Sequence, residues 1–200
     1  MEPKIIAIIG APGVGKSFLV EKLSKKLNAI SIQEEERGIP DRIIENFKKD
    51  IRHMETILWF RNKCIDNMKR AIELKNKGNI VVMDTYLLSN ELHITTMTSG
   101  FEQEILLKQA RADRENMPKP DIIIFLDASE ETIKKFTFKR GRDFDTNEKF
   151  IKRNLSIKKA HDDYLKEAKD SMIYVNRDKL DFENEEDLQK IVREINKKIN

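Results

Sequence analysis

Residues 4–17 read KIIAIIGAPGVGKS, and this stretch decides the fold of the chain. Its first part, Lys4–Ile9, is apolar and mostly β-branched after the lysine, which predicts a strand buried on both faces. Its second part, Gly10–Ser17, matches the pattern G-x-x-x-x-G-K-[ST] without gaps. An apolar stripe predicts a helix over Lys16–Leu27. A strand, a glycine-rich turn and a helix in this order predict a phosphate-binding loop.

The chemistry of such a loop explains each residue type in it. Glycines let the backbone turn its N–H groups toward phosphate oxygens, and the helix that follows points its N-terminus at the same anion. Lys16 adds a charge that stabilises the transferring phosphoryl group, and the Ser17 hydroxyl is a ligand for Mg²⁺. The residues predicted to bind the nucleotide here are Gly10, Ala11, Pro12, Gly13, Val14, Gly15, Lys16, Ser17 and Phe18. The loop alone does not choose between kinases, GTPases, ATPase motors and sulfotransferase-like enzymes.

Short apolar runs alternate with long amphipathic stretches along the rest of the chain. Further strands are predicted over 29–33, 80–83, 122–126 and 172–175. Helices are predicted over 40–77, 102–115, 130–139, 150–169 and 185–199, with a polar connection after the third strand. This alternation predicts an α/β fold, namely a five-stranded parallel sheet flanked by helices on both faces, in one domain over residues 1–200.

Ligands of such sheets bind at the carboxyl ends of the strands, and acidic residues stand at two of these ends. Asp84 ends the third strand, and we interpret it as a Mg²⁺ contact, with a helix N-cap as the alternative. Asp127 ends the fourth strand, where a structural cap for the helix that follows is the favoured interpretation.

Composition excludes several classes of partner. The chain has 200 residues and a net charge of only +3, which is too small a field to indicate a nucleic acid partner. The apolar run Ile5–Ile9 is too short for a membrane span, so no membrane partner is expected. The single cysteine, Cys64, forms no internal disulfide and predicts a cytoplasmic location.

Five segments in chain order resemble the deoxynucleoside kinases, in the wider group that includes thymidylate kinase. Besides the phosphate loop they are PKPDIIIFLDASEET at 118–132, KRGR at 139–142, the helical stretch 150–164, and VNRDKLDF with EEDL at 175–188. The resemblance implies a P-loop kinase fold with a lid at about 139–147. It also implies ATP and Mg²⁺ as cofactors and transfer of phosphate to the 5′-hydroxyl of a small-molecule deoxynucleoside. A homodimer through long helices is a further implication.

The resemblance also assigns roles to residues. Arg140 and Arg142 would act as catalytic lid cations over the triphosphate, because guanidinium groups bind phosphate oxygens bidentately. The segment near the adenine of ATP comprises Asp178, Lys179 and Leu180. The residues expected to bind the acceptor are Glu55, Asn62, Asp84 and Asn90.

Two departures from the family leave questions open. Because the proline of the family's Glu-Pro pair is missing, the general base falls among Glu34, Glu35 and Glu36, and distance from the end of the second strand favours Glu34 or Glu35. Thr85 stands where the family has an arginine directed at the acceptor oxygen, and Arg37 or Arg42 is a candidate to supply that charge. Two alternatives therefore remain: a thymidylate-type kinase of nucleoside monophosphates, and a P-loop nucleotide-binding regulator without small-molecule kinase activity.

Overall fold

A computed structural model of the protein describes residues 2–34, 38–141, 148–168 and 171–199. The strands are β1 (Lys4–Ile9), β2 (Ile30–Ile32), β3 (Ile80–Asp84), β4 (Ile122–Asp127) and β5 (Ile173–Asn176). The helices are α1 (Lys16–Leu27), α2 (Asp41–Lys49), α3 (His53–Asn76), α4 (Leu87–Met97), α5 (Gly100–Asn116), α6 (Glu130–Arg140), α7 (Glu148–Ala168) and α8 (Glu185–Ile199).

The five strands form one parallel sheet, as predicted, and the structure shows their order to be β2-β3-β1-β4-β5. β1 is central and is buried at all of its six residues. Its neighbours pair with it in the same direction, with Ile8 beside Asp84 on β3 and Ile9 beside Phe125 on β4. The carboxyl ends of β1, β3 and β4 therefore meet at one edge of the sheet.

Alternation along β1 divides the core between the two faces of the sheet. Ile6 and Ile8 point into a cluster with residues of α1 and α8, including Leu19, Leu23 and Ile195. On the opposite face the cluster is built from alternate β1 residues and from α3 and α4, and its members include Ile5, Ala7, Ile9, Met68, Ala71, Leu87 and Leu88. The predicted sheet with helices on both faces is confirmed.

Two helical predictions need correction. The stretch predicted as one helix over 40–77 is two helices, because the chain turns at Asp50 and Arg52, whose φ angles are 56° and 51°. The segment predicted as a polar connection after β3 contains α4, a largely buried helix. Its threonine hydroxyl groups are satisfied within the helix, since Thr95 and Thr96 donate hydrogen bonds to the Leu92 carbonyl oxygen at 2.9 and 3.2 Å.

Within the described ranges, no helix is both long enough and apolar enough to cross a membrane.

Truncation of the central strand should cost far more stability than truncation of an exposed isoleucine. Ile8 is fully buried, so Ile8→Ala should lower the free energy of unfolding by roughly 2–5 kcal/mol through lost burial and a residual cavity. The matched control is Ile51→Ala, because Ile51 is 41% exposed and should lose less than about 0.5 kcal/mol. Urea denaturation of both variants measures the difference, and equal losses would contradict the position given to β1.

Candidate functional site

The phosphate loop connects β1 to α1 and takes a conformation that requires its glycines. Gly10 has a φ of +150°, and a Cβ there would lie 2.2 Å from the Leu126 carbonyl oxygen of β4. Gly13 has a φ of +88°, and a Cβ there would lie 2.7 Å from the Thr137 Oγ1 atom of α6. The loop is therefore held closely between the sheet edge and α6, where side chains have no space.

The N-terminus of α1 has no side-chain cap in the described ranges. Its N-cap residue is Gly15, which lies in the left-handed region with a φ of 95°. The first backbone N–H groups of α1 therefore remain available to a bound anion. Lys16 folds over the loop, and its Nζ atom donates to the carbonyl oxygens of Gly10 and Ala11 at 3.0 and 3.2 Å. The Lys16 ammonium group and the N-terminus of α1 therefore both lie at the phosphate loop, an arrangement that suits a bound phosphate.

Asp84 joins the end of β3 to the first turn of α1. The Ser17 Oγ atom donates a hydrogen bond to Asp84 Oδ2 at 2.7 Å, while Asp84 Oδ1 is buried and has no hydrogen-bond partner among the described residues. Asp84 therefore does not cap α4, whose N-cap is Tyr86. A hydroxyl and a carboxylate with one unsatisfied buried oxygen fit a Mg²⁺ ion that takes its remaining ligands from phosphate and water.

Ser17 and Asp84 are not part of a larger cluster of metal-binding side chains in the described ranges. No group of three or more His, Cys, Asp or Glu side chains there is arranged to hold a metal ion. A divalent ion at Ser17 and Asp84 would thus depend on the phosphates of a bound nucleotide.

A cavity of about 440 Å³ opens from the phosphate loop between three helices. One face each of α3, α4 and α7 lines the cavity. The lining residues on α3 are Thr56, Ile57, Phe60, Lys63, Cys64 and Asn67; those on α4 are Ser89, Asn90, His93 and Met97; those on α7 are Phe150, Arg153, Asn154 and Ile157. Apart from Asn90, the sequence analysis proposed none of these as site residues. The three-to-four spacing along α7 was the available signal for the last group.

Most of the predicted nucleotide and catalytic residues lie around this cavity. Those that line it are Gly10, Pro12, Gly13, Gly15, Lys16, Ser17, Phe18, Glu34, Asp84, Asn90 and Arg140. Ala11 and Val14 are buried beneath the loop and do not line the cavity. Glu35 and Arg142 lie outside the described residues, as do Glu36, Arg37 and most of the predicted lid.

Two residues predicted to bind the acceptor are not at the cavity. The Glu55 carboxylate forms an ion pair with Arg42 at 2.8 Å and accepts a hydrogen bond from Asn46 at 3.1 Å, so it connects α2 to α3. Asn62 is exposed and accepts a hydrogen bond from Arg61 at 2.9 Å. The reason is helical phase: the cavity face of α3 begins at Thr56, one residue beyond the predicted position.

The predicted adenine segment also lies beside the loop and not on the cavity wall. The Asp178 carboxylate accepts hydrogen bonds from the Ser129 backbone N–H at 2.7 Å and its hydroxyl at 3.0 Å. Arg177, the residue before it, donates to the Leu180 carbonyl oxygen, and its Nε atom is 4.0 Å from a Cβ built on Gly15. Asp178, Lys179 and Leu180 therefore form a loop next to α1 and α6.

Asp127, predicted to cap α6, has other partners. Its Oδ1 atom accepts from the Ala128 N–H at 2.8 Å and from Lys158 Nζ at 3.0 Å, and its Oδ2 atom accepts from the Tyr174 hydroxyl at 2.8 Å. Ser129 is the cap, because its Oγ atom accepts from the Thr132 N–H at 3.2 Å. Asp127 thus ties β4 to α7 and β5.

Thr85, which stands where the family has an arginine, makes a contact between neutral hydroxyl groups. The Thr85 Oγ1 atom lies 2.9 Å from Ser89 Oγ. Arg42, one candidate to replace the charge, is 65% exposed and does not line the cavity. A cation that does line it is Arg153 of α7, whose side chain is 11% exposed and pairs with Asp50 at 3.1 Å.

Two of the titratable groups that line the cavity, Cys64 and His93, are held neutral by burial. Burial raises the pKa of the Cys64 thiol to about 12 and lowers the pKa of His93 to about 4. His161 packs edge-on against His93 at 6.2 Å between ring centroids, and burial lowers its pKa to about 3. At neutral pH a protonated thiol and a neutral imidazole therefore line the cavity, together with the Arg153 guanidinium group.

Comparison with known proteins adds independent information. Residues 5–157 match the family model described as an AAA domain. The chain is 29% identical over 143 residues to a deoxyguanosine kinase of Bacillus subtilis (strain 168), covering 70% of this chain and 68% of that protein. It is 28% identical over 210 residues to a deoxyguanosine kinase of Lactobacillus johnsonii, covering 96% and 90% of the two chains.

A solved structure shares the fold over nearly the whole chain. It is a deoxyadenosine kinase from M. mycoides with bound dCTP, with a TM-score of 0.77, 17% identity, and coverage of 96% of this chain and 99% of that one. The resemblance to deoxynucleoside kinases that the sequence motifs predict is confirmed by these matches.

The buried histidine pair should make stability fall in mild acid. The unfolded chain takes up protons near pH 6.5, whereas folded His93 and His161 resist protonation until about pH 4 and 3, so acid favours unfolding. Each histidine should cost up to ~1.4 kcal/mol per pH unit over this window. His161→Phe should remove its share and flatten the dependence. Denaturant titrations between pH 7 and 4.5 measure it, and an unchanged slope would contradict the burial of a neutral His161.

Proposed function

The chain belongs to the AAA domain family, and we propose that it is an ATP-dependent kinase of deoxynucleosides, transferring phosphate to the 5′-hydroxyl with Mg²⁺. One observation carries this proposal. The phosphate loop opens directly into a largely apolar cavity of about 440 Å³, with Ser17 and Asp84 at the junction. A triphosphate at the loop and an uncharged nucleoside in the cavity would therefore meet at this pair. The named activities of the matched relatives support the same assignment.

The groups around the loop would stabilise the reacting phosphates. The first N–H groups of α1 and the Lys16 ammonium group would bind the β- and γ-phosphates, where charge develops during transfer. Ser17 and Asp84 would hold Mg²⁺, which would supply positive charge to neutralise the phosphate oxygens. Arg140, at the end of α6, lines the cavity, and its guanidinium group would contact the phosphate oxygens. Arg142 is proposed to act with it.

Glu34 is the proposed general base, because it lines the cavity just after β2. The 5′-oxygen would attack the γ-phosphorus as the bond from this phosphorus to the β–γ bridging oxygen breaks. ADP leaves, and the proton of the 5′-hydroxyl passes to the Glu34 carboxylate. Glu35 remains the other candidate for this role. In the loose transition state of phosphoryl transfer, positioning contributes more than the base.

Three further expectations accompany the proposed enzyme. Asp178, Lys179 and Leu180 are proposed to border the adenine of ATP, because their loop lies next to α1 through Arg177. A cytoplasmic location agrees with a lone cysteine, and a homodimer remains a prediction from the resemblance.

A substrate panel tests the proposed function. With radiolabelled ATP and Mg²⁺, at least one of the four deoxynucleosides should be converted to its 5′-monophosphate, and Lys16→Ala should lower the rate by at least ~10²-fold. The matched control is Lys25→Ala on the same helix, since Lys25 is 73% exposed and pairs only with Glu21 in the described structure. Transfer to deoxynucleoside monophosphates alone would identify the thymidylate-type alternative, and no transfer at all would favour a regulator.

The metal assignment has its own test. Asp84→Asn should raise the Mg²⁺ concentration needed for half-maximal rate by ~10-fold or more, because it replaces a charged oxygen ligand by a neutral amide. Asp127→Asn, at the end of the adjacent strand, is the control, since that carboxylate is occupied by Lys158 and Tyr174. Initial rates are measured against free Mg²⁺ with EDTA as the zero point. The same Mg²⁺ dependence in both variants would refute the role of Asp84.

A further inference from the structure

The cavity has two chemically different ends, and the direction of α3 defines them. The C-terminal part of α3 lies near the start of β4, because Lys75 Nζ contacts Asp121 Oδ1 at 2.6 Å. Its N-terminal turns therefore extend past the carboxyl edge of the sheet. Thr56 and Phe60 line the cavity from these turns, whereas Ser17 and Asp84 stand at the sheet edge. The phosphate end and the remote end are thus separated along α3.

The remote end is walled by aromatic rings from three helices. The ring of Phe47 lies 5.7 Å from that of Phe60 and 6.2 Å from that of Phe150, measured between centroids. The Arg153 guanidinium covers Phe150 at 4.5 Å and Phe47 at 5.1 Å. All four residues line the cavity. Flat rings in such a cluster suit the planar, apolar faces of a nucleobase.

Asn154 is a buried polar residue on α7, the helix that carries Phe150 and Arg153. It is 2% exposed, it lines the cavity, and its Nδ2 atom has no hydrogen-bond partner in the described parts of the chain. It lies one turn after Phe150 and one turn before Ile157 on the cavity face of α7. A buried donor without an acceptor is unfavourable for the folded protein, and a bound ligand that supplies an acceptor would remove this cost.

We infer that Asn154 determines base specificity by donating its Nδ2 hydrogen bond to an acceptor atom of the nucleobase, an inference that rests on the proposed function. Asn67 and Asn90 also line the cavity, but both are partly exposed and can be satisfied by water. The neutral amide matches an uncharged base, and the adjacent rings hold the base in plane with it. A ring nitrogen or a carbonyl oxygen of the base is the acceptor class this donor requires.

The first test measures kinetics with the preferred nucleoside of the wild-type enzyme. Asn154→Leu and Asn154→Asp both remove the donor, and both should raise KM for the nucleoside by about 10–100-fold while kcat changes little. Their KM for ATP should stay within about twofold of wild type, because the phosphate end is untouched. Asn116→Asp is the matched control, since Asn116 is exposed at the end of α5 and its amide contacts Ala112 at 2.7 Å.

The second test identifies the atom that Asn154 contacts. Deaza analogues of the preferred nucleoside replace one acceptor nitrogen by C–H, and thio analogues weaken one carbonyl acceptor. For the wild type, one such analogue should lose most of the kcat/KM of its parent, whereas Asn154→Leu should treat that analogue and its parent alike. A 2′,3′-dideoxynucleoside serves as the sugar control, and Asn154→Leu should not change its penalty.

A structural role predicts a different result. If Asn154 only supported the fold, Asn154→Leu would lower the melting temperature and change the KM for both substrates together. We expect instead a melting temperature at or above that of wild type, because the variant removes an unsatisfied buried donor.

The outcomes separate this inference from the proposed function. Wild-type activity on a deoxynucleoside with unchanged nucleoside KM in both Asn154 variants would overturn the inference and leave the function standing. Sensitivity to the sugar analogue instead of the base analogues would overturn it in the same way. If the wild type phosphorylates no deoxynucleoside, the proposed function fails, and the inference fails with it.

Discussion

The hydrogen bond from Ser17 to Asp84 is the contact on which the site depends, because it joins two elements that are far apart in the chain. Ser17 begins α1 after the central strand, and Asp84 ends β3, the neighbour of that strand in the sheet. Parallel pairing brings the two to the same edge. The contact uses one carboxylate oxygen, and the other is buried with no partner in the part of the chain that the structure describes, so the junction suits a cation.

From this junction the molecule offers two different environments. On one side, open backbone N–H groups and Lys16 favour a charged phosphate chain. On the other, aromatic rings, a protonated Cys64 and neutral His93 favour an uncharged ligand. Phosphoryl transfer between a nucleotide and a nucleoside requires both environments in contact, because the nucleophile must approach the terminal phosphate while water is kept away.

Helix α7 contributes more to the cavity than its sequence indicates. Phe150, Arg153 and Asn154 line the same cavity as residues of α3 and α4, although α7 also carries several lysines, as is typical of a solvated helix. Lys158 anchors this helix to the sheet by binding Asp127 at 3.0 Å and Asp162 at 2.7 Å. These contacts fix α7 at the edge of the sheet, and its first turns line the remote end of the cavity.

The sequence alone determined the strand order in the chain, the phosphate loop and the meeting of Ser17 with Asp84, because each depends on local pattern or on strand ends. It did not determine α4, whose threonines satisfy themselves within the helix, nor the division of the chain at Asp50 and Arg52. It also proposed Glu55 as a binding residue of α3, whereas the face of α3 that lines the cavity begins at Thr56. Only the tertiary structure decided which face of each helix lines the cavity, because that choice is made by packing between helices and not by the spacing within one of them.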